Sequence, residues 1–208
     1  MERSSNKFCL IGMAGVGKTF WSQQLEETGL HRVSCDELIA QSLMADSLID
    51  AADYSSLCDW LNYPWNENFR SHEKQYSDAE DRIMREIIAE APDQDTVLDA
   101  TGSVLYCDIE ILKLLTDNYK VIYLQLSEEE KTLFQEKYIE TPRPIVWNHH
   151  AEPLLGSKPD DEVIATQYIK LVKEREERYM ALADQVVPSA VLSIMQSGEE
   201  LLRLISDD

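Results

Sequence analysis

Residues 12–19 form a glycine-rich motif of the pattern G-x-x-x-x-G-K-S/T and read Gly12-Met13-Ala14-Gly15-Val16-Gly17-Lys18-Thr19. An apolar segment, residues 8–11, precedes the motif, and an amphipathic stretch, residues 20–25, follows it. This strand–loop–helix context is the one a phosphate-binding loop needs, because the glycines let backbone N–H groups surround phosphate oxygens at a helix N-terminus. The motif predicts that all eight residues bind ATP, with Lys18 reaching the β- and γ-phosphates and the Thr19 hydroxyl ligating Mg²⁺.

Around this motif the chain alternates predicted strands and helices, which indicates a parallel sheet covered by helices on both faces. The strands are predicted over about 7–11, 31–34, 96–99, 120–124 and 185–187. Long helices are predicted over about 66–91 and 160–183, and Asp36 is expected to cap a helix that ends near Met44. Residues 45–65 and 141–160 have less regular patterns. We expect a three-layer α/β/α P-loop NTPase fold with about five parallel strands, in a single domain over residues 1–208.

The composition narrows the range of partners. Asp and Glu number 39 against 19 Lys and Arg, and the formal net charge is −20. Such a charge repels the phosphates of nucleic acid. No apolar run is long enough to span a bilayer, and no signal peptide precedes the first strand. We therefore expect a cytoplasmic protein that binds neither nucleic acid nor a membrane and is a monomer or a weak homodimer.

Polar residues follow the second and third predicted strands, and ligands of open parallel sheets bind beyond such strand ends. Asp36 suits a role in holding Mg²⁺ or in accepting a proton from an attacking hydroxyl, although a plain helix N-cap is the alternative. Asp99 ends the third strand, where an acidic residue commonly anchors Mg²⁺, and a turn cap is its alternative. Thr101-Gly102-Ser103 follows and offers N–H groups and hydroxyls to a substrate, although Gly102 suits a simple turn equally well.

Two arginines on predicted helices are candidates for binding an anion. Arg175 lies on the apolar face of the helix over 160–183, and a buried guanidinium needs a carboxylate, a phosphate or a water-filled site. The alternative is a side chain that extends to solvent at the edge of the core. Arg70 has Glu73 three residues later, so spacing alone indicates a surface ion pair of little energetic value.

The proline-rich stretch near residue 143 is predicted to be a lid. Arg143 stands between Pro142 and Pro144, and a lid arginine stabilises charge on a transferring phosphoryl group. His149 and His150 are adjacent, and their side chains are expected to diverge. With no third ligand evident, we interpret them as surface residues of the lid rather than as a metal site.

Taken together, these segments resemble the shikimate kinase family of P-loop kinases over most of the chain. Residues 34–39 resemble the family's D-x-D-x-x-I segment with only the second Asp kept, at Asp36. Residues 67–73 resemble E-x-x-F-R-x-x-E, residues 143–145 resemble the lid R-P-L, and residues 175–184 resemble the closing R-x-x-x-Y-x-x-x-A-D. The chain departs from the family at Ser34, which replaces the first Asp, and at residues 101–103, which replace a three-glycine substrate loop.

The resemblance implies that Arg70 and Arg175 hold the substrate carboxylate. It implies a kinase dependent on ATP and Mg²⁺ that phosphorylates a hydroxyl of a small, carboxylate-bearing metabolite, with a substrate-binding helical region over about 36–90 and a lid over about 128–160. Two alternatives stay open. One is a nucleoside or nucleotide kinase, with a base packed on the aromatic insert at 54–65. The other is an ATP-binding regulator without turnover.

Overall fold

A computed structural model describes residues 6–90, 94–140 and 145–206. Within these ranges the central sheet contains β1 (Lys7–Ile11), β2 (His31–Ser34), β3 (Thr96–Asp99), β4 (Lys120–Gln125) and β5 (Gln185–Pro188). The strands lie in the order β2-β3-β1-β4-β5, and each neighbouring pair is parallel. The prediction of a parallel sheet with about five strands is confirmed.

Helices connect the strands and cover both faces of the sheet. They are α1 (Lys18–Glu26), α2 (Cys35–Ala45), α3 (Tyr54–Leu61), α4 (Phe69–Ala89), α5 (Ile109–Asn118), α6 (Glu128–Glu140), α7 (Asp161–Leu182), α8 (Ser189–Leu192) and α9 (Gly198–Ser206). Two 3₁₀ helices, Val104–Tyr106 and Asn148–Leu154, add to them. In the parts of the chain that the structure describes, no helix is long and apolar enough to cross a membrane.

Strand β1 shows how the sheet separates two apolar cores, since successive side chains of a strand point to opposite faces. Phe8 and Leu10 pack with residues of α1, α8 and α9 on one face. Cys9 and Ile11 pack with residues of α2, α3, α4, α5 and α7 on the other face. The fold is therefore the predicted three-layer α/β/α arrangement.

One local prediction is wrong, and one region is more regular than its sequence pattern indicates. Residues 45–65 contain helix α3, which buries Leu57 and Leu61 at helical spacing and is capped by Asp53, whose carboxylate accepts a hydrogen bond of 2.8 Å from the N–H of Ser56. The N-cap of α2 is Ser34 rather than Asp36, because the helix begins as soon as β2 ends. Asp36 lies in the first turn of α2, where an acidic side chain is favoured by the helix dipole.

The register of the strands brings the predicted polar residues to one edge of the sheet. Asp99 pairs with Leu10 of β1 on one side and with Ser34 of β2 on the other. The loops that follow β1, β2 and β3 therefore begin side by side at the carboxyl edge.

Candidate active site

The loop after β1 wraps around the side chain of Lys18. Gly12, Gly15 and Gly17 have φ angles of 147°, 89° and 100°, which residues other than glycine rarely adopt. Lys18 is buried, and its Nζ donates to the carbonyl oxygens of Gly12 at 2.9 Å and Met13 at 3.2 Å. Burial lowers the pKa of Lys18, and the carboxylates of Asp99 and Asp36 oppose this shift. Both acidic candidates therefore act on the same ammonium group.

A cleft of about 450 Å³ opens beside this loop. It is lined by nine residues that the sequence singled out: Ala14, Gly15, Gly17, Lys18, Thr19, Asp36, Gly102, Ser103 and Arg175. The cleft wall also includes Tyr54, Leu57, Cys58 and Leu61 of helix α3. The lining does not include six other described candidates: Gly12, Met13, Val16, Arg70, Asp99 and Thr101. Arg143 lies outside the described residues.

The two acidic candidates have different surroundings. Asp36 accepts a hydrogen bond of 3.3 Å from the hydroxyl of Tyr76, and burial raises the pKa of its carboxyl while Lys18 opposes the rise. Asp99 is 5% exposed and accepts hydrogen bonds from Ser22 Oγ at 3.2 Å and from Arg32 Nη2 at 3.4 Å. The sequence analysis missed Arg32, which also lines the cleft. The signal that could have identified Arg32 is its charge, which is unusual inside a strand of four residues.

A buried glutamate supports the loop that replaces the three-glycine segment. Glu80 of α4 accepts hydrogen bonds from the hydroxyls of Thr101 and Ser103, the latter at 2.9 Å. Burial raises the pKa of Glu80 to about 7, although the two hydroxyls oppose the rise. Thr101 is 2% exposed, so its hydroxyl is committed to Glu80. Sequence reasoning missed Glu80, whose only signal was a carboxylate on the buried stripe of α4.

Arg175 is fully buried and reaches the cleft from α7. Its Nη2 donates to Val146 O at 2.5 Å, whereas its Nε has no hydrogen-bond partner in the part of the chain that the structure describes. Among the described residues, no carboxylate oxygen forms an ion pair with it. The side chain of Arg175 is 1% exposed, so the alternative that it extends to solvent at the edge of the core is wrong. A buried guanidinium that lines a cleft and forms no ion pair with a described carboxylate has the chemistry of an anion site.

Arg70, by contrast, is engaged by carboxylates of the chain itself. Its Nη1 lies 2.7 Å from Glu73 Oε2 and donates to Asn148 O at 2.8 Å, and its Nη2 lies 2.5 Å from Glu152 Oε1. Glu73 also accepts from the N–H groups of Trp147 and Asn148 at 2.6 and 2.8 Å. The expected ion pair of Arg70 and Glu73 is present, but Glu73 is 5% exposed and anchors the segment after residue 145.

The histidine pair departs from expectation. Glu174 Oε2 lies 3.1 Å from His149 Nε2 and 2.7 Å from His150 Nε2, so a third potential ligand is present, contrary to expectation. His150 is buried rather than on the surface. Helix α7 supplies the carboxylate from 24 positions away, which local spacing does not reveal.

The parallel sheet and the phosphate loop that follows β1 define a P-loop kinase fold. No protein-family model matches the chain. The chain is 29% identical over 189 residues to the shikimate kinases of Francisella tularensis subsp. novicida and Francisella philomiragia subsp. philomiragia, covering 90% of this chain and 86% of each relative. The chain is therefore similar to shikimate kinases over most of its length, as the sequence motifs predict.

Solved structures support the same fold. A shikimate kinase from Acinetobacter baumannii in complex with shikimate matches with a TM-score of 0.64 at 17% identity, over 98% of this chain and 94% of the other. A shikimate kinase from Bacteroides thetaiotaomicron matches with a TM-score of 0.61 at 13% identity, over 97% and 99% of the two chains.

Proposed function

We propose that this protein is an ATP-dependent kinase that phosphorylates a hydroxyl of a small, carboxylate-bearing metabolite, with shikimate as the first acceptor to test. The observation that carries the proposal is the buried guanidinium of Arg175, which lines the same cleft as Lys18 and Asp36 and has no carboxylate partner within residues 6–90, 94–140 and 145–206. A site with a phosphate loop at one side and an anion-binding arginine at another suits an anionic acceptor. Similarity to shikimate kinases along 90% of the chain supports this over the two alternatives.

The residues around the loop after β1 fit ATP and Mg²⁺. Three glycines with positive φ shape a loop that precedes the N-terminus of α1, and such a loop binds phosphates through its N–H groups. Lys18 would contact the β- and γ-phosphates, and Thr19 with Asp99 or Asp36 would hold Mg²⁺. The metal supplies charge neutralisation on the phosphates when it is bound. Arg143 is proposed to add a further positive charge.

The acceptor would be held and activated by the other side of the cleft. Asp36 would orient the attacking hydroxyl and accept its proton, and the raised pKa of its carboxyl favours proton acceptance. Arg175 would bind the acceptor's carboxylate, and backbone groups at residues 101–103 would contact the rest of the molecule. Arg70 would also bind the acceptor's carboxylate if that group replaced Glu152, whose carboxylate forms an ion pair with Arg70 Nη2 in this structure.

The test is a direct search for product. The protein is incubated with ATP, Mg²⁺ and a panel of shikimate, other hydroxy acids, sugars, nucleosides and nucleotides. Mass spectrometry then detects any acceptor heavier by one phosphoryl group, with Lys18→Met as the inactive control. Phosphorylated shikimate or another hydroxy acid supports the proposal. A phosphorylated nucleoside or nucleotide, or ATP binding without any product, would replace it with one of the two alternatives.

A further inference from the structure

Three potential metal ligands converge away from the lining of the cleft. His149 Nε2, His150 Nε2 and Glu174 Oε2 all lie within 4.8 Å of one another. The two imidazole rings are 4.1 Å apart between centroids, and both point their Nε2 atoms at the same carboxylate oxygen. Adjacent side chains that were expected to diverge are thus directed to one point.

Neighbouring residues position Glu174 and the backbone that carries the two histidines. Arg178 Nε lies 2.9 Å from Glu174 Oε1 and forms an ion pair with it, although the geometry is not that of a hydrogen bond. The other carboxylate oxygen of Glu174, Oε2, faces the two imidazoles. The backbone just before the histidines is anchored by Glu73 through two N–H groups, and Asn148 has a positive φ of 53° that sets the turn. Ligands held in this way lose little conformational freedom when an ion binds.

The donor set has a clear chemical preference. Two imidazole nitrogens and one carboxylate oxygen suit Zn²⁺ and related transition metals, whereas Mg²⁺ and Ca²⁺ prefer oxygen ligands. Ligand atoms of a tetrahedral zinc ion lie roughly 3.3 Å apart. The N···O separations here are 3.1 and 2.7 Å, the latter a direct hydrogen bond, so the three side chains would move apart by about half an ångström or less to admit the ion.

We propose that His149, His150 and Glu174 form a binding site for a divalent transition-metal ion of the zinc type. His149 is 62% exposed and provides the route of entry, so solvent completes the coordination. The ion would hold the 3₁₀ helix Asn148–Leu154 against α7. Because Arg70 bonds Asn148 O at the start of that helix, the ion would stiffen a segment beside the proposed acceptor site. The metal proposal does not depend on the kinase proposal.

Binding is measured on the full chain, freed of metals with a chelator and without nucleotide. Zn²⁺ is titrated calorimetrically, and Co²⁺ is used as a spectroscopic probe. We expect one tight site per chain and a Co²⁺ spectrum of nitrogen and oxygen ligation. His149→Gln and Glu174→Gln should each weaken Zn²⁺ binding by at least the roughly 10–100-fold that loss of an outer-shell partner costs. His149 is exposed, so its variant retains the fold, and circular dichroism verifies this for all variants.

Matched controls separate this site from others. His31→Gln removes an exposed histidine on β2, and Glu177→Gln removes an exposed carboxylate on the same helix as Glu174. Both should bind Zn²⁺ as the unaltered protein does. The proposal is overturned if His149→Gln and Glu174→Gln bind Zn²⁺ with unchanged affinity, or if excess Mg²⁺ displaces the ion. A Co²⁺ spectrum dominated by thiolate charge transfer would instead assign the ion to cysteine and would also overturn it.

Discussion

The hydroxyl of Tyr179 donates a hydrogen bond of 2.5 Å to the carbonyl oxygen of Gly102, which ties α7 to the loop after β3. Arg175 lies one helical turn earlier on the same face of α7. A Cβ atom on Gly102 would lie 3.4 Å from Ala14 N and 3.4 Å from Arg175 Nη1. Gly102, in the loop after β3, therefore lies next to both the phosphate loop and the buried arginine. Phosphoryl transfer depends mainly on such positioning.

Replacing Arg175 tests the anion site. Arg175→Lys keeps a positive charge but loses the planar group that binds a carboxylate with two hydrogen bonds. We expect the KM for the acceptor to rise about tenfold or more, because a hydrogen bond to a charged group contributes about 1.5–3 kcal/mol, whereas the KM for ATP should change little. Steady-state kinetics with each substrate varied in turn measures both constants. Lys173→Ala, an exposed change on the same helix, is the control, and equal rises in both KM values would contradict the assignment.

Arg70 and Glu152 offer a paired test. Arg70→Ala should raise the KM for the acceptor far more than the KM for ATP, if this arginine exchanges Glu152 for the acceptor. Glu152→Gln should have the opposite effect and lower the acceptor KM up to about fivefold, since an exposed ion pair contributes up to about 1 kcal/mol. The side chain of Glu152 is 68% exposed, so its replacement leaves the fold intact. Unchanged acceptor KM values in both variants would limit Arg70 to the structural contact with Glu73.

Lys18→Met is expected to lower kcat strongly. The ammonium is positioned by the carbonyls of Gly12 and Met13, and its loss removes a preorganised charge next to the phosphates. Loss of one such group costs roughly 10²–10³ in kcat. The rate of product formation, measured by mass spectrometry, is compared with that of Lys173→Met, an exposed control. If the Lys18 variant kept its full rate, the phosphate loop would have no catalytic role.

Glu80 predicts a dependence of stability on pH. Burial raises the pKa of the Glu80 carboxyl from its ordinary value of 4.5 to about 7 in the folded protein. Below pH 4.5 the carboxyl is protonated in both states. Between pH 4.5 and 7 the unfolded chain releases this proton and the folded chain keeps it, so stability from this group is lost as the pH rises to about 7.

Glu80→Gln removes this titration and retains an oxygen that accepts hydrogen bonds from Thr101 and Ser103. Relative to the unaltered protein, its free energy of unfolding should rise by about 3 kcal/mol between pH 4.5 and pH 8. Urea denaturation at several pH values measures the difference. Glu86→Gln, an exposed change on the same helix, should show no such trend, and a parallel trend in both variants would exclude Glu80 as the cause.

Gly198 predicts a local clash at the start of α9. A Cβ atom there would lie 2.0 Å from Gln24 O, a backbone atom of α1, so α9 must move away. Gly198→Ala should lower the free energy of unfolding by about 1–3 kcal/mol, the usual cost of overpacking. Gly29→Ala is the comparison, because its φ of 104° is strained but no atom lies within 4 Å. Thermal or urea unfolding of both variants measures the costs, and equal small losses would show that α9 shifts freely.

The sheet, the phosphate loop and the buried face of α7 follow from patterns that act over a few residues. Glycine spacing sets the loop, and apolar periodicity sets the strands and helices, so these features were predictable locally. The N-cap of α2 was harder to predict. Ser34 and Asp36 both suit an N-cap, and only the position where β2 ends decided between them.

Contacts between distant residues depended on the tertiary structure. Thr101 meets Glu80 across 21 positions, Asp99 meets Arg32 across 67, and Glu174 meets His150 across 24. Each contact exists because packing of strands and helices brings the two residues together, and no local pattern encodes that approach. The glycine-rich loop could be predicted because its pattern is local, whereas the partners of the carboxylates and of the histidine pair could not.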